Sequence, residues 1–600
     1  MNSWRKAGKQ LSKDTSQWIR RNKLDPFPIR KELRGYKADE LGNDLRSGLN
    51  VALLAFPQGM AYAVIAGLPV QFGIYASAIA GILGAIFAGS RFVIFGPTNA
   101  TAVLIFTAFL SMGVTQAEKL AMLPLLLFMT GGFMILGAFF RVANLIPFIS
   151  RSVVTGYITA AAFYIIINQL RKVMGIEFEM PQGVTFLGVI QLTVIHLEAV
   201  HWPSVGLSAL TAFLFFYLNK YFRTLPNVAL TLTAVSLIAW LVEKGLGSDP
   251  GWQMLAGMER IWPAIALPDF ERLWFSEFIS LALVLAFLAT VEGSFIGKSL
   301  AARSGKRIDI NQQLFGLGIA TWGCSFAGGM GVSGSLTRSQ LNWSSGARSS
   351  LSALFSGVFC LLGAFALGPA IGGIPQAALG VLVIAIGLSV INKRVIGVVL
   401  RTTRSDAFVF LTTFLVALLT RLDLAIGFGV VLSIVLFLKK AAQPSLLEYG
   451  FNPQGELMEV SDSSNTQSTP GISIVHVEGD LFFGAAELFR DQLRRVAENP
   501  NLCCVVLKMR NAHHLDATSI LALEELIQSM KENDRTLIIS EARRDVIRVL
   551  RRSGLIDLLG RKHIFVDSPR NPNLSTARAL RQAQELLGGE EAQVSIYTPN

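Results

Sequence analysis

The sequence predicts an α-helical membrane protein with about fourteen transmembrane helices in two inverted halves, followed by an α/β domain. Only 16% of the 600 residues are charged and 52% are hydrophobic, whereas a soluble protein carries about 25% charged residues. One apolar run follows another from about residue 49 to residue 438, and the remainder has the composition of a soluble domain. Two apolar segments, about 235 positions apart, open with the same short, polar character.

Most of the apolar segments are long enough to cross a bilayer, since about 20 helical residues span its hydrocarbon core. They lie at residues 47–66, 70–89, 97–112, 121–140, 149–170, 204–221, 226–244, 276–297, 311–327, 333–347, 350–368, 373–391, 405–421 and 424–440. With a cytoplasmic N-terminus, most Lys and Arg residues fall in cytoplasmic loops, as the positive-inside rule requires for an even number of spans. We therefore expect a cytoplasmic segment over residues 1–46, without a cleavable signal peptide, and a transmembrane domain over 47–441.

The two polar openings are FGPTNATAVL, residues 95–104, and GVSGSLTRSQL, residues 331–341. Each begins a segment too short to cross the bilayer, which predicts half-helices with their N-termini near the midplane. Unpaired N–H groups and the helix dipole attract an anion there, and Arg338 adds a positive charge. The simpler alternative is that small residues only allow the helices to pack closely.

Residues 56–102, FPQGMAYAVIAGLPVQFGIYASAIAGILGAIFAGSRFVIFGPTNATA, carry several short motifs. The motifs stand at Pro57–Tyr62, Ala66–Tyr75, Gly89–Arg91 and Gly96–Pro97. They resemble the SulP family of sulfate-permease-type anion transporters, whose animal relatives include pendrin and prestin. The tenth segment also matches the family pattern from Ser333 to Asn342, with departures at Gly331, Ser333, Leu336, Thr337 and Ser339.

This resemblance implies a fold of seven plus seven inverted helices, divided into a core domain that carries the anion and a gate domain that contacts a partner subunit. The core is implied to move against the gate like an elevator. The implied anion-binding residues are Gln58, Tyr62, Thr98, Asn99, Ala100, Thr101, Ser335, Leu336, Thr337 and Arg338. Alternatively, Pro57 ends or kinks the first helix and Gln58 only satisfies the carbonyl that Pro57 frees.

Glu292 lies deep in the eighth span, where an acidic residue is expensive and often functional. A carboxylate beside the site repels an anion until a proton or a cation neutralises it, which makes the two ligands mutually dependent. The resemblance implies H⁺ or Na⁺ as the coupling ion, with a possible Na⁺ site near Glu292 and no other metal or cofactor. The alternative is a structural ion pair between Glu292 and Arg338.

After residue 441, a Pro-, Gly- and Ser-containing stretch, 442–470, is predicted to be a linker. Strand-like segments at 472–479, 502–509, 536–541 and 563–567 then alternate with helical ones at 485–499, 518–534, 545–555 and 575–587. This α/β pattern, with HHLDATSI at a strand-to-helix turn, resembles a STAS domain over residues 471–588, followed by a tail at 589–600. The resemblance implies a regulatory loop at Asp516 and Thr518, although either side chain can simply cap a helix.

The sequence thus predicts a secondary-active transporter of sulfate, bicarbonate or dicarboxylates in the cell membrane, working by H⁺ or Na⁺ symport or by anion exchange. Two alternatives stay open: an uncoupled anion channel, and a membrane-tethered signalling protein whose STAS domain is the active part. We expect a homodimer in a lipid bilayer, with a cytoplasmic protein as a possible partner of the STAS domain. The net charge of +12 comes largely from residues that flank spans, so neither nucleic-acid binding nor an enzyme is expected.

Overall fold

The structure, a computed structural model, describes residues 24–144, 150–178, 181, 186–222, 227–246, 250–258, 263, 265, 267–269, 272–305, 308–420, 422–442, 445–451, 457–459, 472–497, 503–568 and 574–587. The chain divides into two compact units, Met1–Ser433 and Ile434–Asn600. The predicted domain boundaries near residues 46, 441, 470 and 588 stay predictions. The predicted tail at 589–600 lies outside the described residues.

Helices dominate the apolar part of the chain. In order they are α1 (Ile29–Leu33), α2 (Ala38–Ile65), α3 (Val70–Phe87), α4 (Asn99–Met112), α5 (Gln116–Phe139), α6 (Arg151–Val173), α7 (Phe186–Ile195), α8 (Trp202–Tyr221), α9 (Asn227–Leu246), α10 (Arg272–Ser304), α11 (Ile310–Phe326), α12 (Leu336–Ser344), α13 (Leu351–Leu367), α14 (Gln376–Val390), α15 (Lys393–Thr402), α16 (Arg404–Leu419) and α17 (Leu422–Ala441). Two short strands, β1 (Phe95–Pro97) and β2 (Val332–Gly334), precede α4 and α12.

Every predicted span contains a helix, which confirms the α-helical membrane class. Within the described residues, nine helices are long and apolar enough to cross a membrane, and the pair Phe186–Ala199 and Trp202–Tyr221, bent by 116°, makes ten if it is counted as one span. Helices α4, α11, α12 and α16 are shorter, with 14, 17, 9 and 16 residues. At 1.5 Å per residue, α12 extends only about 14 Å of the roughly 30 Å that a span requires.

The membrane helices pack in two groups, which correspond to the predicted core and gate. Helices α2–α5 and α10–α13 pack mainly on one another, and helices α6–α9 and α14–α16 form the other group. Between the groups, α4 contacts α6, and α2 contacts α9 and α14. The half-helices α4 and α12 therefore both belong to the first group, and α6 of the second group faces the start of α4.

The first long helix begins at Ala38, earlier than the predicted span, and at its start the Glu40 carboxylate accepts a hydrogen bond from the Lys37 N–H at 3.3 Å. Asp44 is fully buried in this extension. Its Oδ1 accepts hydrogen bonds from the backbone N–H groups of Arg348 (2.6 Å) and Ser349 (3.2 Å). The carboxylate thereby ties the start of α2 to the segment just before α13.

The second unit is an α/β domain, as predicted. Its six-stranded sheet has the order β4-β3-β5-β6-β7-β8, in which β5 to β8 are parallel and β3 is antiparallel to both of its neighbours. The strands are β3 (Ser445–Phe451), β4 (Leu457–Glu459), β5 (Ile472–Asp480), β6 (Cys504–His513), β7 (Thr536–Ala542) and β8 (Ile564–Val566). The helices are α18 (Phe483–Ala497), α19 (Ala517–Glu532), α20 (Arg544–Arg552), α21 (Leu555–Leu559) and α22 (Leu574–Leu586). Helices α18 to α21 supply the apolar core on one face of the sheet, and α22 supplies that on the other.

The prediction that 442–470 is a linker is wrong for the described part of that segment. Strands β3 and β4 lie within it, and β3 pairs with β5 from Ser445 opposite Glu478 to Tyr449 opposite Ile474. The segment contains enough Pro, Gly and Ser to suggest a loop by composition. Strands of seven and three residues are short enough to lie within a segment whose overall composition resembles that of a loop, and so composition does not reveal them.

Candidate anion-binding site

Strands β1 and β2 bring the two polar segments together. They pair antiparallel, with Phe95 opposite Gly334 and Pro97 opposite Val332, and all their residues are buried. Each strand leads directly into a half-helix, so α4 and α12 leave from opposite ends of this two-stranded ribbon. Helix α4 begins two residues after the end of β1, and α12 begins two residues after the end of β2, so one ribbon connects the two helix starts. The pairing of helix ends predicted from the sequence is present.

The N-terminus of α4 is capped by its own side chains. Thr98 Oγ1 accepts a hydrogen bond from the Thr101 N–H (3.4 Å), and Thr101 Oγ1 accepts one from the Thr98 N–H (3.2 Å). The Thr101 hydroxyl also lies 3.0 Å from the carbonyl oxygen of Gly331, to which it donates. Tyr157 of α6 donates to the Ala100 carbonyl at 3.4 Å. The start of α4 is thus fixed both to the residues before β2 and to the second helix group.

The N-terminus of α12 differs, because within the described residues no side chain caps it. Ser335 holds the N-cap position, and its N–H donates to the carbonyl of Ile94 at 3.0 Å. The position is further fixed by Ser339, whose hydroxyl accepts from the Ile94 N–H at 2.9 Å. The first-turn amides of α12 lack the side-chain acceptor that Thr98 gives α4, so they can donate to an anion.

Arg338 is the charge at the centre of this arrangement, and none of its side chain is exposed. Its Nη2 donates to the carbonyl of Pro97, which places the guanidinium at the end of β1. Among the described atoms, Nε and Nη1 have no hydrogen-bond partner. A buried cation with unmet donors costs several kcal/mol. An anion between the helix ends would offset that cost.

Gly96 leaves the space in which the guanidinium lies. A methyl group at this position would be 2.5 Å from Nη1 of Arg338 and 3.0 Å from its Cζ. Those distances are shorter than van der Waals contact, so any side chain here would push the guanidinium away from Pro97. The sequence motif at Gly96–Pro97 therefore has a steric role that spacing alone does not reveal.

Gln58 and Tyr62 of α2 are both 7% exposed. Tyr62 is within electrostatic range of both Glu292 and Arg338, and Gln58 Oε1 has no hydrogen-bond partner in the described structure. The alternative in which Pro57 ends the helix is wrong, because α2 continues through it to Ile65. A methyl group on Gly73 would collide with the Gly59 carbonyl oxygen, so α2 and α3 pack backbone against backbone beside Gln58.

Glu292 of α10 does not form the ion pair with Arg338 that the sequence left open. Its Oε2 instead accepts a hydrogen bond from the Thr98 hydroxyl at 3.0 Å. Ser333 of β2 is also within hydrogen-bonding reach of the carboxylate, and its hydroxyl donates to the Ala289 carbonyl at 3.1 Å. Glu292 and Arg338 are therefore tied to neighbouring residues, Glu292 to the Thr98 side chain and Arg338 to the Pro97 carbonyl.

The remaining predicted residues divide into two sets. Asn99 and Ala100 are 8% and 3% exposed in the first turn of α4, and the Asn99 Oδ1 has no partner among the described residues. Leu336 is 45% exposed and Thr337 is also exposed, so these two side chains are not buried in the site. Sequence reasoning missed Gly96, Tyr157 and Ser333 as parts of the site. Gly96 and Ser333 carried a signal, since they lie in the polar stretches before α4 and α12, whereas Tyr157 carried none.

Asp516 and Thr518, the predicted regulatory pair of the second unit, have different surroundings. Asp516 is the N-cap of α19, and its Oδ1 accepts from the Ser519 N–H at 3.0 Å. Thr518 is exposed. Ser519, which stands where the STAS pattern has Gly, is buried and donates to the Leu481 carbonyl at 2.8 Å. Asp516 is therefore a helix cap, and a regulatory role for either residue stays a prediction.

Substituting Asp516 with Ala is expected to loosen α19, because loss of an N-cap costs about 1 kcal/mol of helix stability. Hydrogen–deuterium exchange of the full-length protein should show amides of Ala517–Glu532 exchanging about fivefold faster. Thr518→Ala serves as the matched control and should leave exchange unchanged. Equal amide exchange in both variants would mean that the Asp516 cap does not contribute to the stability of α19.

Sequence similarity extends over nearly the whole chain. Residues 41–413 match the model of the sulfate permease family, and residues 463–569 match that of the STAS domain. The chain is 25% identical over 559 residues to sulfate transporter 4.1 of Arabidopsis thaliana, covering 90% of this chain and 81% of the relative. It is 24% identical over 541 residues to the putative sulfate transporter YvdB of Bacillus subtilis, covering 89% of this chain and 97% of the relative.

Solved structures share the fold. The murine Solute Carrier 26 family member A9 anion transporter in the inward-facing state superimposes with a TM-score of 0.83 at 20% identity, covering 93% of this chain and 94% of that one. The transmembrane domain of the cyanobacterial bicarbonate transporter BicA gives a TM-score of 0.59 at 20% identity, covering 66% and 98%. With the family model matched over more than half of its length, the chain belongs to the sulfate permease family, which consists of transporters and not enzymes, and it carries a C-terminal STAS domain.

Proposed function

We propose that this protein is a secondary-active transporter that carries a small oxyanion, of the sulfate, bicarbonate or dicarboxylate class, between the ends of α4 and α12. The observation that carries the proposal is Arg338, a fully buried cation with two unpartnered donor atoms among those described. It lies between two helix N-termini, one of them without a side-chain cap. An oxyanion offers several acceptor oxygens to such donors, and both helix dipoles favour its charge.

The coupling ion is proposed to bind at Glu292. The Thr98 hydroxyl lies 3.0 Å from Oε2 of the carboxylate, and the Thr101 hydroxyl lies 3.2 Å from that of Thr98, so hydroxyl oxygens adjoin the carboxylate. Oxygen ligands suit hard cations such as Na⁺, and the same carboxylate can take a proton. In either case the negative charge next to the anion site is neutralised, which favours anion binding.

Movement of the first helix group against the second is the proposed transport step. Both half-helices belong to the first group, so the anion would travel with it in an elevator-like motion. We further propose that the protein is a homodimer in a bacterial cell membrane with both termini cytoplasmic, and that the STAS domain contacts a cytoplasmic protein. The distribution of Lys and Arg over the predicted loops supports this orientation.

The function is tested by radiolabelled uptake into proteoliposomes that contain the purified full-length protein. Sulfate, bicarbonate and a dicarboxylate such as succinate are compared, with Na⁺ and pH gradients imposed separately. We expect uptake of one class to exceed the others and to be driven by one of the two gradients. Current without dependence on either gradient would identify the uncoupled channel. Absence of uptake for all anions would favour the signalling alternative, whereas uptake after deletion of residues 450–600 would exclude it.

Glu292→Gln should separate transport from its driving ion. The amide keeps a hydrogen-bond acceptor for Thr98 but can neither bind a proton nor attract Na⁺ through charge. We expect the native protein to be stimulated several-fold by a Na⁺ or proton gradient, and the variant to keep anion exchange without this stimulation. Glu198→Gln, at an exposed Glu outside the site, is the control. An unchanged response to both gradients in the Glu292 variant would rule out its coupling role.

A further inference from the structure

Helix α15, KRVIGVVLRT, lies between two apolar helices and has two distinct faces. At 100° per residue, Lys393, Arg394 and Arg401 fall within one arc of about 100°, with Gly397 in its middle. Val395, Ile396 and Val399 fall on the opposite arc. Val399, only 8% exposed, is the residue that packs against the protein. The basic arc therefore points away from the body of the molecule.

The cations of this helix have no acidic partner in the part of the chain that the structure describes. Lys393, Arg394, Arg401 and the neighbouring Arg404 are all exposed. Of the ion pairs found among the described residues, none involves any of these four. The nearest acid along the chain is Asp406. It is engaged elsewhere, since its two oxygens accept hydrogen bonds from Ser152 (2.8 Å) and Thr403 (2.7 Å).

Exposed apolar side chains border the basic arc on both sides. Val398 is 57% exposed and Leu400 is 41% exposed. On the helical wheel they flank the cations, one at each edge of the arc. A water-soluble anion gains nothing from contact with these apolar side chains. A phospholipid does, because its acyl chains cover the apolar side chains while its headgroup binds the cations.

We propose that α15 is a binding site for anionic phospholipid, with the headgroup phosphate held by Lys393, Arg394 and Arg401. The positive-inside rule explains why cations occur between these spans. It does not explain their confinement to one arc with a glycine at its centre, which leaves room for a headgroup. Because α15 contacts α16 and α6, bound lipid would hold the second helix group at the bilayer surface. The first group would then be the one that moves.

Lipid binding is measured directly, without reference to transport. Purified full-length protein in detergent is titrated with fluorescent phosphatidylglycerol and, separately, with fluorescent phosphatidylcholine. The test variant is Lys393→Gln, Arg394→Gln and Arg401→Gln combined. The matched control is Arg548→Gln, Arg551→Gln and Arg552→Gln combined, which removes three exposed cations from the second unit. A third arm adds excess inorganic phosphate to the native protein.

Each Lys or Arg near an anionic surface contributes about fivefold to binding, so the test variant should lose on the order of 100-fold in affinity for phosphatidylglycerol. The control variant should bind like the native protein, phosphatidylcholine should bind far more weakly than phosphatidylglycerol, and inorganic phosphate should not displace the lipid. Equal phosphatidylglycerol binding by the test variant and the native protein would overturn the proposal. So would an equal loss in the control variant, or displacement of the lipid by inorganic phosphate. Since binding is measured without anion uptake, failure here leaves the transport proposal unaffected.

Discussion

Arg338→Ala should lower the uptake of every anion that the protein carries, by about 100-fold. This factor is the lower limit for the loss of two hydrogen bonds to a charged group, which contribute about 1.5–3 kcal/mol each. Nε and Nη1 lack partners in the described structure, so both are free to donate to the anion. The loss should be similar for different anions, because the guanidinium recognises negative charge and oxygen atoms rather than the rest of the molecule. Initial rates of uptake into proteoliposomes measure it.

Arg348→Ala is the matched control, since Arg348 lies ten residues further on and its side chain is exposed. Arg338→Lys should retain part of the activity, because the charge remains but the fork of donors is lost. Uptake at the native rate by the Arg338→Ala protein would remove Arg338 from the anion site.

A stability measurement distinguishes loss of binding from loss of folding. Replacing a buried charge by an apolar side chain of similar volume is often neutral or stabilising. Without anion, the melting temperature of Arg338→Met should therefore equal or exceed that of the native protein. Added substrate should raise the melting temperature of the native protein and not that of the variant, since only the native protein binds it. A variant that melts far below the native protein would point to a structural role instead.

The fold could be predicted from the sequence because membrane helices leave a strong signal. A run of about 20 apolar residues rarely forms anything but a membrane span, and a run that is too short, such as that of α4 or α12, shows itself by its length. The same reasoning failed for β3 and β4, because a few residues suffice for a strand and the composition of this segment suggests a loop. Helix length is a property of one segment, whereas strand pairing depends on a distant partner.

The site could be predicted only in part, for a similar reason. The polar residues that begin α4 and α12 are visible in the sequence, and so are the intramembrane charges Glu292 and Arg338. The hydrogen-bond partners of these two charges are not visible in the sequence. Their opposite charges left open an ion pair between Glu292 and Arg338. Instead, the carboxylate accepts a hydrogen bond from the Thr98 hydroxyl, and the guanidinium donates one to the Pro97 carbonyl. The choice between these partners is made by the β1–β2 register, which no local pattern reveals.

The resulting arrangement gives a physical route for coupling. Thr98 is both the N-cap of α4 and the hydrogen-bond donor to Glu292. Neutralising Glu292 weakens the hydrogen bond to its carboxylate, since charged acceptors bind more strongly than neutral ones. In the proposed coupling, the charge state of Glu292 would therefore act on the helix end that is proposed to bind the anion. A shift of this peptide would also displace the adjacent Pro97 carbonyl, to which Arg338 donates.

Gly96→Ala should mimic the loss of Arg338 without removing its charge. The added methyl group, 2.5 Å from Nη1, must displace the guanidinium from the Pro97 carbonyl. We expect uptake to fall at least tenfold, since small misplacements at a binding site are costly. Gly206→Ala is the control, because a methyl group there has no neighbouring atom within 4 Å.

The double variant Gly96→Ala with Arg338→Ala decides whether the two residues act through one interaction. Residues that contact each other give non-additive effects, whereas independent sites add. If Gly96 only makes room for the guanidinium, the double variant should transport no worse than Arg338→Ala alone, because the methyl group then has nothing left to displace. Multiplied losses would show instead that Gly96 supports the β1–β2 ribbon independently. In that case the close contact between Gly96 and Arg338 would not contribute to anion binding.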